Sequence, residues 1–291
     1  MNQSVRLKSG ALYIGFMLLL LTTTAGFCVE TKLIRAINQH QDLVNNSVRD
    51  MLFDPDGTMW FATLNGFVHY DGYRFKNYHH DAGDAHSVPS SNIYSLAFDA
   101  RQRIWLATGD KLSIFDRLTE RFTSPQNNDC DSGIKDLVSD KEGNIWGSSN
   151  SRQLFNYQVD SAQVRCFTLS GHNDQIKDDM VVTALAYDQT RHGIWMATAK
   201  GLVLFDIATQ STRFLSETQG DLAFSLVGVD LDSKGNVWAG SIGNGIYRFD
   251  PDSNTLKHFS PDTYPKLQGL NFTGFTEDSD GTLWIGTISS G

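Results

Sequence analysis

Asp54-Pro-Asp-Gly57-Thr-Met-Trp60 returns as Asp140-Lys-Glu-Gly143-Asn-Ile-Trp146, as Asp232-Ser-Lys-Gly235-Asn-Val-Trp238 and as Asp278-Ser-Asp-Gly281-Thr-Leu-Trp284. Two looser copies stand among them. Asp99-Ala-Arg-Gln102-Arg-Ile-Trp105 has Gln where the others have Gly, and Asp188 to Trp195 carries one extra residue, with its glycine displaced to Gly193. The copies hold all six tryptophans of the chain, spaced 45, 41, 49, 43 and 46 residues apart. A period of ~40–50 residues fits a unit of four short strands.

Each part of the unit has a mechanical reason. In Asp-x-x-Gly the carboxylate can accept backbone N–H groups and the glycine supplies a positive φ, so the segment reads as a turn. The Trp and the small pair after it (Ala62-Thr63, Ala107-Thr108, Ala197-Thr198, Gly240-Ser241, Gly286-Thr287) form a second strand, whose ring packs on a neighbouring unit. Ahead of the turn, Val48–Phe53, Ile93–Phe98, Val182–Tyr187 and Leu226–Leu231 are short apolar runs that predict a first strand buried on both faces. Gly66–Asp71, Lys111–Asp116, Gly201–Asp206 and Gly245–Asp250 predict a third strand. Short runs ending at Phe75, Phe122, Phe167, Phe214 and Phe259 predict a fourth. One such sheet cannot bury both faces alone, whereas sheets stacked radially can. The reading is therefore all-β, a β-propeller of four-stranded blades with six repeats visible and the last incomplete. No sustained 3.6-residue apolar stripe supports a helical solenoid.

The 291 residues are 40% hydrophobic and 20% charged, a globular composition. With 24 basic against 33 acidic residues the net charge is −9, which argues against a nucleic-acid partner. Arg6 and Lys8, the apolar run Ala11–Leu21 and the small residues Thr23-Thr24-Ala25 read as a secretory signal peptide spanning residues 1–25, ahead of propeller repeats over 33–291. The apolar run is shorter than the roughly 20 residues that a membrane-spanning helix needs, so an uncleaved anchor is the weaker alternative. Phe27 before Cys28 disfavours a lipid attachment, which wants a small residue there. Export permits a Cys130–Cys166 disulfide; two inert thiols fit equally well.

The repeat resembles that of the two-component regulator propeller family. Phe275-Thr-Glu-Asp-Ser-Asp-Gly-Thr-Leu-Trp-Ile-Gly-Thr287 matches the family pattern almost throughout, and Asp42-Leu-Val-Asn-Asn-Ser-Val48 is similar to the leader before a first blade. The resemblance covers about residues 33–291. It implies an extracytoplasmic, periplasmic sensor region of an inner-membrane protein, commonly two propellers in tandem followed by a β-sandwich, a membrane helix and a histidine kinase or diguanylate cyclase. On that expectation the chain is an N-terminal fragment, tethered through a C-terminal part it does not contain, with room for a homodimer in the full-length protein. The expected ligand is an unidentified small molecule or oligosaccharide. A secreted binding propeller, or a carbohydrate-active lyase or glycosidase on the same scaffold, stays open as the alternative.

No catalytic, metal or cofactor residue is assigned. His79-His80 with Asp81 and Asp84 has metal-ligand chemistry, but adjacent side chains on an extended segment diverge, and a solvated loop is the better reading. Asp54-Asp56-Gly57 and Asp278-Asp280-Gly281 lack the further oxygen ligands of a calcium loop. Gly240-Ser-Ile-Gly243-Asn-Gly245 precedes a strand, unlike a dinucleotide-binding loop, and Ser170-Gly-His172 belongs to no nucleophile elbow. Sialidase turns have one residue between Asp and Gly where these have two, and Arg74, Arg121, Arg165, Arg213 and Arg248 recur as repeat positions. The longest departures from the repeat, Asn77–Asn92 and Ser170–Asp179, are the candidate ligand-binding loops.

Overall fold

The computed structural model describes residues 47–109, 111–125, 133–149, 153–169, 181–215, 225–277 and 280–287, with the backbone alone at Thr273. The expected signal peptide at residues 1–25, Cys28, Cys130 and the candidate loop at residues 170–179 lie outside them. The described chain forms five four-stranded antiparallel sheets and a two-stranded one, each built in chain order. Blade 1 holds β1 (Val48–Phe53), β2 (Met59–Thr63), β3 (Gly66–Tyr70) and β4 (Phe75–Tyr78). Blade 2 holds β5 (Ser95–Phe98), β6 (Ile104–Ala107), β7 (Leu112–Asp116) and β8 (Arg121–Thr123), and blade 3 holds β9 (Leu137–Ser139), β10 (Ile145–Ser148), β11 (Gln153–Gln158) and β12 (Gln163–Thr168). Blade 4 runs through β13 (Val182–Asp188), β14 (Gly193–Thr198), β15 (Gly201–Asp206) and β16 (Ser211–Phe214), and blade 5 through β17 (Leu226–Leu231), β18 (Val237–Ser241), β19 (Ile246–Asp250) and β20 (Thr255–Phe259). Blade 6 contributes β21 (Phe272–Glu277) and β22 (Leu283–Thr287). The first strands contact one another in series, β1 to β5, β9, β13, β17 and β21, so they line the centre and the fourth strands lie outermost.

The Asp and Trp of each repeat meet directly. The indole N–H donates to the motif carboxylate at 2.9–3.1 Å in blades 1 to 5, from Trp60, Trp105, Trp146, Trp195 and Trp238 to Asp54, Asp99, Asp140, Asp188 and Asp232. The same carboxylates accept turn N–H groups, for example Glu142 and Asn144 on Asp140. Glycine takes positive φ in four of the turns; in the two looser copies Gln102 and His192 adopt it instead, at +59° and +50°. Gly143 has a second constraint, because a Cβ there would lie 2.5 Å from the Ala100 nitrogen of the preceding blade.

The core is laminated between blades. The tryptophans of blades 1 to 4 each lie against the third-strand aromatic of the next blade: Trp60 on Phe115 at 5.3 Å, Trp105 on Tyr157 at 4.5 Å, Trp146 on Phe205 at 6.0 Å and Trp195 on Phe249 at 5.8 Å. One apolar cluster fills each seam. The expectation that every first strand is buried on both faces fails at β1, where Met51 and Phe53 are 52% and 70% exposed. Among the described residues no further sheet covers that side of blade 1, while the inner strands β5, β9, β13 and β17 each lie between two others.

Every first strand also carries a bulge at its entry. The register skips one residue at Arg49, Thr183, Val227 and Thr273. The N–H groups of Tyr94 and Lys135 donate to Ala107 and Ser148, each already opposite the following residue, and so make the same irregularity. A bulged residue leaves the strict alternation of the strand and its side chain is re-aimed.

Candidate ligand-binding surface

Loop 79–92 joins the outermost strand of blade 1 to the innermost strand of blade 2, so it must cross the whole seam. Buried Val88 anchors it within the core, and buried Ile93 fixes the entry to blade 2. Its tip is folded by its own polar side chains: Asp81 accepts the Gly83 N–H at 2.8 Å, Asp84 the His86 N–H at 2.8 Å, and the Ser87 hydroxyl donates to both the Asp81 and Asp84 carbonyls at 2.9 Å. The His86 carbonyl receives the Phe122 N–H from β8. Beneath this tip is a cavity of about 250 Å³, lined by His80, Asp81, Asp84 and Ser87 from the loop and by Lys111, Ser113, Phe122 and Thr123 from blade 2. Hydroxyls, one ammonium, two carboxylates and an aromatic ring face one space, which suits a small polar ligand.

The two adjacent histidines diverge. The Nδ1 atoms of His79 and His80 lie 3.1 Å from the Asn65 carbonyl and 2.9 Å from the Val88 carbonyl. No group of three potential metal-binding side chains comes together among the described residues. Of the loop residues singled out by sequence, the structure brings His80, Asp81 and Asp84 to the cavity; it places Lys111, Ser113 and Phe122 opposite them without any local signal, because blade packing alone juxtaposes them. The segment Gly240–Gly245 is the turn between β18 and β19, and Gly245 approaches so closely that a Cβ would lie 2.2 Å from the Phe259 carbonyl oxygen. Arg121, Arg165, Arg213 and Arg248 lie on third or fourth strands of four different blades and do not converge. Cys166, on β12, is disulfide-bonded.

A second set of polar groups lies at the centre, four residues before the motif Asp of blades 1 to 3. Asp50 accepts the Ser95 hydroxyl at 3.0 Å and the Leu96 N–H at 2.7 Å; Ser95 in turn accepts the Leu137 N–H at 3.2 Å, and Asp136 accepts the Leu185 N–H at 2.6 Å. Each side chain thus captures a backbone donor of the next blade, stitching blades 1 to 4 together at the axis. Burial pushes the Asp50 carboxyl up to about 6. Burial, reinforced by the Asp50 charge, pushes Asp136 up to about 7. Both residues retain some accessible surface, but protein encloses the carboxylates and no cation offsets their desolvation. Asp230, at the centre of blade 5, is pushed up to about 6 by burial. By contrast Asp54, though burial raises it, is held below the usual carboxylate range by Arg117 from blade 2, the Asp56 N–H and the Trp60 indole.

The pattern described as two component regulator propeller matches residues 42–65, 87–110 and 266–289, the copies containing Trp60, Trp105 and Trp284. The chain carries two-component regulator propeller repeats. The Asp–Trp hydrogen bond marks the same structural unit at Trp146, Trp195 and Trp238. Among solved structures, the extracellular domain of the hybrid two-component system BT3049 from B. thetaiotaomicron is 19% identical with a TM-score of 0.71, covering 87% of this chain and 34% of that one. The corresponding domain of BT4673 from the same organism is 20% identical with a TM-score of 0.59, covering 83% and 37%. Virginiamycin B lyase from Staphylococcus aureus is 14% identical with a TM-score of 0.64, covering 82% and 77%. At these identities the likeness is one of fold, and the chain spans about a third of the length of the two sensor domains. No curated protein matches the chain.

Proposed function

We propose that this propeller is the extracytoplasmic, periplasmic input region of a transmembrane two-component signalling protein whose output is a histidine kinase or a diguanylate cyclase. The observation that carries the reading is the coincidence of regulator-propeller repeats with a fold resembling the extracellular domains of hybrid two-component systems over 87% of the chain. The ligand is a small polar molecule or an oligosaccharide, held in the cavity beneath loop 79–92. It acts by binding two arrangements of the sensor with different affinity, which is the only way a ligand can shift an equilibrium across a membrane. The cavity lies between the loop that joins blades 1 and 2 and the outer strands of blade 2, so occupancy bears directly on how that loop packs on blade 2.

A thermal-shift screen of the purified chain against neutral and acidic oligosaccharides tests this reading, with each active compound repeated on Lys111→Ala and checked for turnover by product analysis. A compound that raises Tm, does so by at most half as much in Lys111→Ala, and is recovered unchanged is the expected result. Conversion of the compound to product would replace the sensor by an enzyme, and an undiminished shift in Lys111→Ala would remove the ligand from this cavity.

A further inference from the structure

The bulged residues at the entries of the first strands form a series around the centre: Arg49, Tyr94, Lys135, Thr183, Val227 and Thr273. The first three, from three successive blades, are in contact. The Arg49 guanidinium carbon lies 4.1 Å from the centroid of the Tyr94 ring and the Lys135 ammonium nitrogen 4.3 Å from the same centroid. The ring is seated by its surroundings. A Cβ on Gly109 would come within 2.9 Å of the ring edge, and the Asn92 amide donates to the phenol oxygen at 3.2 Å. Burial raises the Tyr94 phenol, but the Asn92 hydrogen bond and the charges of Lys135 and Arg49 outweigh it and hold the phenol below its ordinary value.

Two positive charges therefore share one aromatic ring, and among the described residues neither has a carboxylate within ion-pair distance. Their sequence neighbours Asp50 and Asp136 do not neutralise them: those carboxylates turn into the blade seams and accept backbone N–H groups. An aromatic quadrupole attracts each cation but does not cancel the repulsion between them, and they lie within about a Debye length (~8 Å) of each other, where salt screens poorly. Arg49 is exposed and Lys135 is partly so, which leaves the pair open to solvent. In a chain of net charge −9, two cations with no carboxylate partner among the described residues, held together by three separate blades, form a built positive site.

We infer that Arg49, Tyr94 and Lys135 form an oxyanion-binding site at the axial end of the propeller, which takes the carboxylate, sulfate or phosphate group of a small ligand through the guanidinium and the ammonium. Arg49 supplies planar paired donors and Lys135 a point charge; Tyr94 fixes the position of both. The site is separate from the cavity beneath loop 79–92 and does not depend on a signalling role, because it is read as binding by the isolated chain.

Isothermal titration of the full chain with sodium sulfate, phosphate and acetate, each at constant ionic strength, tests it, with Arg49→Gln and Lys135→Gln as variants and Lys200→Gln as a control. Saturable binding of at least one of the three is expected, about tenfold or more weaker in Arg49→Gln and in Lys135→Gln and unchanged in Lys200→Gln. The three titrations identify which oxyanion fits. Absence of saturable binding by all three, or equal affinity in wild type and both variants, would overturn the assignment. If the cluster were only a structural cation–aromatic stack, Arg49→Gln would lower Tm in water without altering the titrations, which counts against the site. Arg49 is exposed, so its replacement leaves the fold intact and the titration interpretable.

Discussion

Asp136 shows how a single polar residue is tied to the fold at the axis. Its carboxylate accepts the Leu185 and Leu137 N–H groups, and its proton affinity is raised to about 7, by burial first and by Asp50 second. Unfolded, it titrates near 3.9. Between those values the folded state binds more protons than the unfolded one, so stability falls as pH rises from about 4 to 7 and stays at the lower level above it. Asp50, raised to about 6, contributes in the same direction over a narrower window. Asp136→Asn keeps an oxygen acceptor for Leu185 and removes the charge. It is expected to raise stability by about 1–2 kcal/mol at pH 8 and to leave it nearly unchanged at pH 4. Urea unfolding at the two pH values measures the difference; equal effects at both would show that the carboxyl is not raised.

Among the elements, the turn between the first and second strands explains both what the sequence discloses and what it hides. Asp-x-x-Gly followed by Trp was legible because the turn needs a carboxylate and a positive φ at fixed positions, and the indole then closes back on the same carboxylate. Blade 2 builds this turn with Gln102 at φ +59°. A left-handed non-glycine residue costs roughly 1–2 kcal/mol, partly offset by the greater chain entropy that glycine loses on folding. Gln102→Gly is therefore expected to stabilise the protein by about 0.5–1 kcal/mol, read as a rise in the urea midpoint without a change in slope. The central residues were not legible for the opposite reason. Asp50, Ser95 and Asp136 share a position but not an identity, and their partners are backbone groups of other blades, which no repeat alignment marks. The bulges were hidden as well: Arg49 and Tyr94 read as ordinary strand residues, and Lys135 falls in a repeat whose first strand the sequence does not mark. Likewise β1 reads as a doubly buried strand from composition, although Phe53 is exposed, because burial is decided by the neighbouring sheet.

The whole molecule is a row of seams, each filled by a tryptophan of one blade and an aromatic of the next, and stability in such arrays is close to a sum over neighbouring interfaces. Phe115→Leu in the seam of blades 1 and 2 and Phe249→Leu in that of blades 4 and 5 are each expected to cost about 1–1.5 kcal/mol and to add within about 0.5 kcal/mol when combined. Trp195→Phe combined with Phe249→Leu alters both partners of one aromatic contact, whose rings lie 5.8 Å apart, and should depart from additivity by more than that. Thermal or urea unfolding of the two double variants separates the cases, and equal additivity in both would mean that the seams do not act independently. The entry bulges have a corollary for how such a molecule diversifies. Each bulged residue stands outside the one-to-one register of its strand, so its side chain is not held to one face of the sheet. Exchanging one for another rewrites a single letter of the axial face while leaving every blade's register as it was, so recognition can drift one position at a time on a frame that does not notice.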